Sequence, residues 1–359
     1  MGPSRSHLDK PLLYALLLLA AVSLAIVYSA SARDASVTIA HFVRMVLGFL
    51  VLVGVAQLRP ELIERLAPWL FGLGLLLLAA VLGVGAISKG AQRWLGLGGL
   101  RFQPSEIMKV AVPLMLAWYL SRGGLPPSWP RVAIALVITL VPSALIVRQP
   151  DLGTALLVAA SGLFVLFLAG LQKRFIFGAL ALAAAAAPFL WGRLQPYQRS
   201  RILTLFDPQA DPLGTGYHTI QSVIALGSGG FYGKGWLNST QAHLEFLPES
   251  STDFIFAVFG EEFGLVGILL AIILYGFIAG RALLIAFYAQ DSFSRLLAGG
   301  IALEFFIQSF VNIGMVAGIL PVVGVPLPMM SYGGSSIVTL LAGFGMLMSI
   351  QTHRKIVEF

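Results

Sequence analysis

The sequence predicts an all-α polytopic membrane protein, and three observations carry that reading. Of 359 residues, 58% are hydrophobic and only 11% are charged, where a soluble globular protein is about 25% charged. Too few polar side chains are present to cover a water-facing surface. Apolar runs reaching the ~18–20 residues needed to cross a ~30 Å hydrocarbon core recur along the chain. These long runs exclude a membrane β-barrel, whose strands show short alternating segments. With no cysteine present, disulfides, thiolate metal sites and cysteine nucleophiles are excluded as well. The formal net charge of +7 is read as topology signal plus anion binding, not as a nucleic-acid surface.

Taken in order, spans are predicted near 12–30, 39–58, 67–87, 104–121, 131–147, 154–170, 175–192, 263–285, 296–319 and 329–350. These make about ten transmembrane helices in one integral-membrane domain, 1–359. No internal repeat marks an inverted-repeat transporter. Ala30-Ser31-Ala32 mimics a signal-peptidase site, but nine later spans favour an uncleaved first helix. On one side of the membrane each segment carries two basic residues: Arg5/Lys10, Arg59/Arg65, Arg122/Arg131, Lys173/Arg174, Arg281/Arg295 and Arg354/Lys355. The opposite short loops hold only Arg33, Lys89, Arg93, Arg101 and Arg148. Both termini are therefore expected in the cytoplasm. A large extracytoplasmic loop, 193–253, joins helices 7 and 8. Its Phe231-Tyr232, Trp236 and Phe246-Leu247 predict ordered structure in a length that is otherwise functional or disordered.

Charged groups at membrane depth are costly and mark function by default. Four clusters fall on the outer face. In Lys89–Lys109, Gln103-Pro104-Ser105-Glu106 reads as a helix start, with Pro at the first position and Glu in the first turn. Glu106 and Lys109 share a face, either as an internal ion pair or as a cation held for an anionic ligand. Arg93, Arg101 and Lys89 on the disfavoured face favour the second. In Arg148–Thr154, Asp151 is expected to cap the next helix. In Phe246–Glu262, residues 254–262 are expected to lie in the outer interface or re-enter, because 254–288 as one straight helix would rise ~52 Å. Asp253 then sits at a helix N-terminus, where capping is its ordinary role. The Pro- and Gly-rich run 314–336 predicts broken helix at membrane depth, tolerated only where it is buried in protein or lines a cavity.

At these residues the chain resembles the SEDS family (shape, elongation, division and sporulation) of bacterial polytopic glycosyltransferases. The likeness spans nearly the whole chain through KGAQRWLGLGGLRFQPSE, RQPDLGTA, GSGGFYGKGW, FLPESSTDFIFAVFGEEFG and the Pro/Gly run. RFQPSEIMKVAVPLMLAWY and GKGW…TQ…LEFLPE resemble the elongation branch more than the division branch. NSTQ at 238–241 departs from that branch, which more often has Gly before the Thr.

The resemblance implies polymerisation of lipid II by a single inverting displacement, with undecaprenyl pyrophosphate leaving. Such a step needs one general base and cations where charge builds on the leaving phosphate. It implies Asp253 as the base. It implies Lys109, with Arg93, Arg101, Lys89 and Lys234, as pyrophosphate ligands, Glu106 as the group positioning Lys109, and Trp94 as a sugar or lipid contact. Glu249 would support Asp253 or, with it, a divalent cation (Mg or Mn) through oxygen, though nothing at this spacing demands a metal. The implied partners are a class B penicillin-binding protein (a transpeptidase) and other elongation-complex proteins, with no nucleic acid. The implied location is the bacterial inner membrane, with an extracytoplasmic site. A lipid II flippase is the alternative, but it should carry intramembrane charges near the midplane and on both sides. A scaffold that only recruits a synthase would not explain so many polar motifs on one face.

Overall fold

The computed structural model describes residues 7–88, 91–97, 100–171, 178, 181, 185, 188–189, 191–193, 196–210, 215–244 and 246–353. Helix α1 (Lys10–Ala30) opens behind Asp9, whose carboxylate accepts from Leu12 N, with Pro11 in the first turn. Asp34 caps α2 (Ala35–Ala56) in the same way, and Pro60 begins α3 (Pro60–Val84). After a small sheet come α4 (Pro104–Ser121), α5 (Trp129–Arg148) and α6 (Leu152–Leu168). The predicted span 175–192 lies mostly outside the described residues. The long loop contributes α7 (Pro196–Phe206), α8 (Thr215–Ser228) and α9 (Thr240–His243). Three long helices close the chain: α10 (Ile255–Phe287), α11 (Ser292–Val316) and α12 (Ser335–Thr352). Among the described residues seven helices are long and apolar enough to cross a membrane: α1, α2, α3, α5, α10, α11 and α12.

The expectation of an all-α chain needs one correction. Ala86–Ser88, Ala91–Leu97 and Leu100–Phe102 form an antiparallel sheet in the order β1-β2-β3. Its register sets Ala86 against Trp94 and Gly96 against Arg101. The physical reason is local: Gly90 and Gly98-Gly99 bracket a stretch of strand length, whose Trp94, Leu95 and Leu97 are too few to make a span.

α10 shows why residues 254–262 could not extend a straight span. Gly264 has φ 65° and ψ −164°, so the helix breaks there, one residue past the predicted start at 263. The part from Leu265 to Phe287 then rises ~34 Å, a membrane thickness. Two other expected spans are trimmed. α11 stops at Val316, and α12 begins at Ser335, leaving 317–334 as the irregular segment that the prolines and glycines predicted.

Close helix contacts rest on small residues, as membrane packing requires. A Cβ at Gly300 of α11 would lie 2.7 Å from Val165 of α6 and 3.0 Å from Pro113 of α4. A Cβ at Gly345 of α12 would lie 2.7 Å from the carbonyl of Leu52 in α2. α11 thus sits at the centre of the bundle against α4, α6 and α10.

Candidate active site

Helix α4 begins as its sequence dictates, with Pro104 at the first position and Glu106 in the first turn. Three residues on, Lys109 Nζ lies 2.7 Å from Glu106 Oε2 and donates to Gln308 Oε1 at 3.2 Å. Lys109 and Glu106 are both buried. A buried ion pair is weak evidence of stability, because desolvation offsets much of the attraction. The pair faces a narrow cleft lined also by Glu304, Gln308, Ser331 and Ser336.

The far wall of this cleft is α11, and its polar side chains are spaced at helical intervals. Glu304, Gln308 and Asn312 recur every four residues, so they form one stripe. Gln308 accepts a hydrogen bond from Lys109 with its oxygen and donates its amide to Pro326 O at 3.0 Å. Asn312, one turn further on, donates to Val325 O at 2.7 Å and to the backbone carbonyl of Asp253 at 2.9 Å. One helix face therefore ties Lys109, the broken 325–326 segment and Asp253 together.

Asp253 lies in the turn before α10. The N-cap position of that helix is Phe254, with no side-chain capping bond, so Asp253 stands one residue outside the expected capping position. Its neighbours are pinned to the Pro/Gly run: Ser331 donates to Thr252 O at 2.6 Å, and Tyr332 N donates to Ser251 O at 2.8 Å. Ser331 also lines the Lys109 cleft. Gly324, at φ 72°, leaves space beside Asp253 Oδ2 that a Cβ would approach to 3.4 Å. Glu249 is exposed, has φ 55°, and accepts from Thr252 Oγ1 at 2.8 Å. His218 of α8 stacks on Phe254 with ring centroids 5.7 Å apart. Burial pushes its imidazole below the usual histidine range; Glu249 opposes this shift and Arg201 reinforces it.

The remaining predicted residues fall in two places. Arg93 of β2 donates Nε to Gln149 O at 3.2 Å and Nη2 to Pro150 O, with Nη1 3.9 Å from Asp151 Oδ2. Asp151 caps α6 through Thr154 N and accepts from Gln103 Nε2. The sheet is thereby fastened to the α5–α6 turn and to the start of α4. Trp94 is half-buried beside Arg93 on β2, and Arg101 lies on β3. Lys89 lies outside the described residues.

Lys234 sits elsewhere, in the loop after α8 that packs against the break in α10. Its Nζ is 2.6 Å from Glu261 Oε1 and donates to Thr240 Oγ1 at 2.9 Å. Glu261 also accepts from Ser239 Oγ at 2.6 Å and from the backbone N–H groups of Thr240 and Gln241. The Lys234 ammonium is thus already neutralised. The same loop completes the interrupted helix. Lys234 N and Gly235 N donate to the carbonyls of Glu261 and Glu262, while Gly230 O and Phe231 O accept from Leu265 N and Val266 N. A helix break leaves such groups without partners, and at membrane depth each must be satisfied within the protein.

Sequence reading passed over Glu304, Gln308 and Asn312, although their i, i+4, i+8 spacing inside an apolar span was a visible signal. It also passed over His41, whose Nε2 is 2.8 Å from Ser23 Oγ, and Arg44, which packs over the Tyr332 ring at 4.7 Å. Ser23 donates to Met330 O at 3.0 Å, so α1 and α2 hold the 330–332 segment from the other side.

Membrane-length apolar helices around a buried carboxylate–lysine cluster define an integral-membrane protein with a polar cleft inside its bundle. A family model described as a cell cycle protein of the FtsW, RodA and SpoVE type matches residues 9–356, and the chain belongs to that family. It is 54% identical over 353 residues to the peptidoglycan glycosyltransferase MrdB of Escherichia coli K12, covering 98% of this chain and 95% of the relative. A probable peptidoglycan glycosyltransferase FtsW of Geobacter metallireducens is 39% identical over 297 residues, 81% of this chain and 78% of the relative. Among solved structures, the rod shape determining protein RodA of Thermus thermophilus superposes with a TM-score of 0.75 at 30% identity, covering 98% of this chain and all of the other. A chain from work on coordinated polymerization and crosslinking by a peptidoglycan synthase complex superposes with a TM-score of 0.84 at 33% identity, over 96% of this chain and 97% of the other.

Proposed function

We propose that this chain is a peptidoglycan glycosyltransferase that polymerises lipid II during rod-shape elongation. The observation that carries the reading is the α11 stripe, which joins a buried lysine–carboxylate pair to the backbone of Asp253. The relatives named peptidoglycan glycosyltransferase support it.

In the proposed step the acceptor sugar 4-hydroxyl attacks the anomeric carbon of the donor, and its proton passes to the Asp253 carboxylate. The bond from that carbon to the pyrophosphate oxygen breaks, and the leaving group takes the electron pair. Lys109, oriented by Glu106 and Gln308, faces the charge that develops there. Arg93, Arg101 and Lys89 are the further pyrophosphate ligands, with Trp94 against sugar or lipid. Lys234 acts through Glu261 by holding the loop. Glu249 and Asp253 are two carboxylates of the kind that hold a divalent cation alongside substrate phosphate and water. Such an ion, when bound, would shield the pyrophosphate charge. Among the described residues no group of three or more His, Asp or Glu side chains gathers for a metal.

The topology follows the same reading: ten spans in the bacterial inner membrane, both termini cytoplasmic, the loop between helices 7 and 8 and the site outside. It is supported by the stacking of His7 on His353, ring centroids 3.9 Å apart, which brings both ends of the bundle to one face. The partner is a class B penicillin-binding protein within an elongation complex, a reading supported by the synthase-complex relative.

The test is glycan-chain formation from purified lipid II by the purified protein, with and without the transpeptidase. General base catalysis is worth ~10²–10⁴ in rate, so Asp253→Asn should lose about that much turnover while stability and lipid II binding hold. Near-wild-type polymer yield from Asp253→Asn would remove Asp253 from the role.

A further inference from the structure

Glu304 is the buried acid that the proposed step leaves unused. It lies on α11 one turn from Gln308, is 3% exposed, and lines the cleft beside Lys109. Its Oε1 has no hydrogen-bond partner among the described residues. Glu106 and Glu304 both line the cleft that Lys109 faces. One buried ammonium therefore answers to two buried carboxylates. The other cleft residues are hydroxyl, amide and apolar groups, and no second cation is among them.

This balance is wrong for a site built only to grip an anion, which would present surplus positive charge. It suits a site that must also let an anion go. An ammonium has three N–H donors. Glu106 and Gln308 engage Lys109 at 2.7 and 3.2 Å, which leaves one donor to be shared.

We propose that Glu304 is a positioning residue that competes with the substrate pyrophosphate for Lys109, so that the product is released after each transfer. The proposal rests on the glycosyltransferase reading. Charge on the pyrophosphate is greatest once the glycosidic bond has broken, so Lys109 stabilises the transition state and then holds the product. Tight product binding slows turnover wherever release is limiting. A second carboxylate beside the same ammonium lowers affinity for the bound anion by like-charge repulsion.

The experiment compares wild type, Lys109→Ala, Glu304→Gln and Glu304→Asp for binding of undecaprenyl pyrophosphate and for lipid II polymerisation. Wild type should polymerise and bind the product, and Lys109→Ala should lose both; failure there overturns the reading of the site itself. With those controls in place, Glu304→Gln should bind the product about tenfold more tightly, with a lower KM and a lower multiple-turnover rate. Single-turnover transfer should be undiminished. Glu304→Asp keeps the charge but draws it back from Lys109, so its product affinity should be intermediate, and it carries the test alone if the Gln variant does not fold. A merely structural Glu304 would lose stability without any gain in product affinity. Product affinity and KM unchanged or weakened in Glu304→Gln, or Glu304→Asp binding product no more tightly than wild type, would overturn the proposal.

Discussion

Lys234 Nζ lies 2.6 Å from Glu261 Oε1, a carboxylate with no exposed side-chain surface, at the level where α10 breaks. Removing one partner of a buried pair leaves the other charge uncompensated, at a cost of roughly 3–5 kcal/mol. Ser239, Thr240 and Gln241 still serve Glu261, so Lys234→Met should cost about 3 kcal/mol, the low end of that range. Thermal unfolding in detergent should show the loss, and Lys234→Met/Glu261→Gln should recover part of it. A Lys234 that instead bound substrate phosphate would give normal unfolding and a raised KM.

For Lys109 the deciding outcome is activity, although leaving Glu106 unpaired should cost stability as well. Lys109→Ala should abolish polymerisation in a protein that still inserts. If Lys109 served only to neutralise Glu106, removing both charges would restore activity. The Glu106→Gln/Lys109→Met double variant should therefore remain inactive, and polymer formation by it would reject the catalytic reading.

The start of α4 was legible because Pro104 and Glu106 act locally, through backbone geometry and the helix dipole. The break near Gly264 was legible from length and charge together, since 35 mostly apolar residues exceed one straight span and Glu261 and Glu262 would sit deep in lipid. The sheet was not, because a few apolar residues between glycines are a faint signal in a chain dominated by long apolar runs. The surroundings of Glu261 were also hidden. Its donors, Lys234, Ser239, Thr240 and Gln241, lie 20 to 27 residues upstream, and only the folded loop brings them to it. Glu304 gave a weak signal because it is a single acid within a long apolar run, marked only by its four-residue spacing with Gln308 and Asn312.

Asn312 offers a test of whether the α11 stripe transmits anything to the base. Asn312→Leu leaves the carbonyls of Asp253 and Val325 without the amide that serves both. Each buried orphan costs about 1–3 kcal/mol, so the unfolding temperature should drop. Turnover should fall at least about tenfold at saturating lipid II, because a base displaced from near-attack geometry loses rate steeply. Unchanged kcat in a destabilised Asn312→Leu protein would reduce the stripe to a structural brace.

His218 predicts a pH dependence outside the membrane. Its folded pKa lies below the ordinary value of ~6.5 because burial against Phe254 disfavours the charged ring. The unfolded chain therefore binds the proton more readily. Stability should be full above about pH 6.5 and decline as pH falls below it, levelling once the folded imidazole also protonates. His218→Phe, which preserves the stack, should flatten this slope in unfolding curves taken from about pH 7 to about pH 5.

The loop that completes α10 constrains how the molecule is assembled. Residues 230–235 are synthesised before the helix they serve, yet their hydrogen bonds to Glu261, Glu262, Leu265 and Val266 can form only once both have crossed to the same depth. Gly233, at φ 81°, lies so close to Glu262 O that a Cβ there would collide with it, so the fit admits no looser version. Until docking, the helix break is a pair of bare polar ends that hydrocarbon rejects. The final seating of this segment therefore waits until the loop and the helix break have reached the same level.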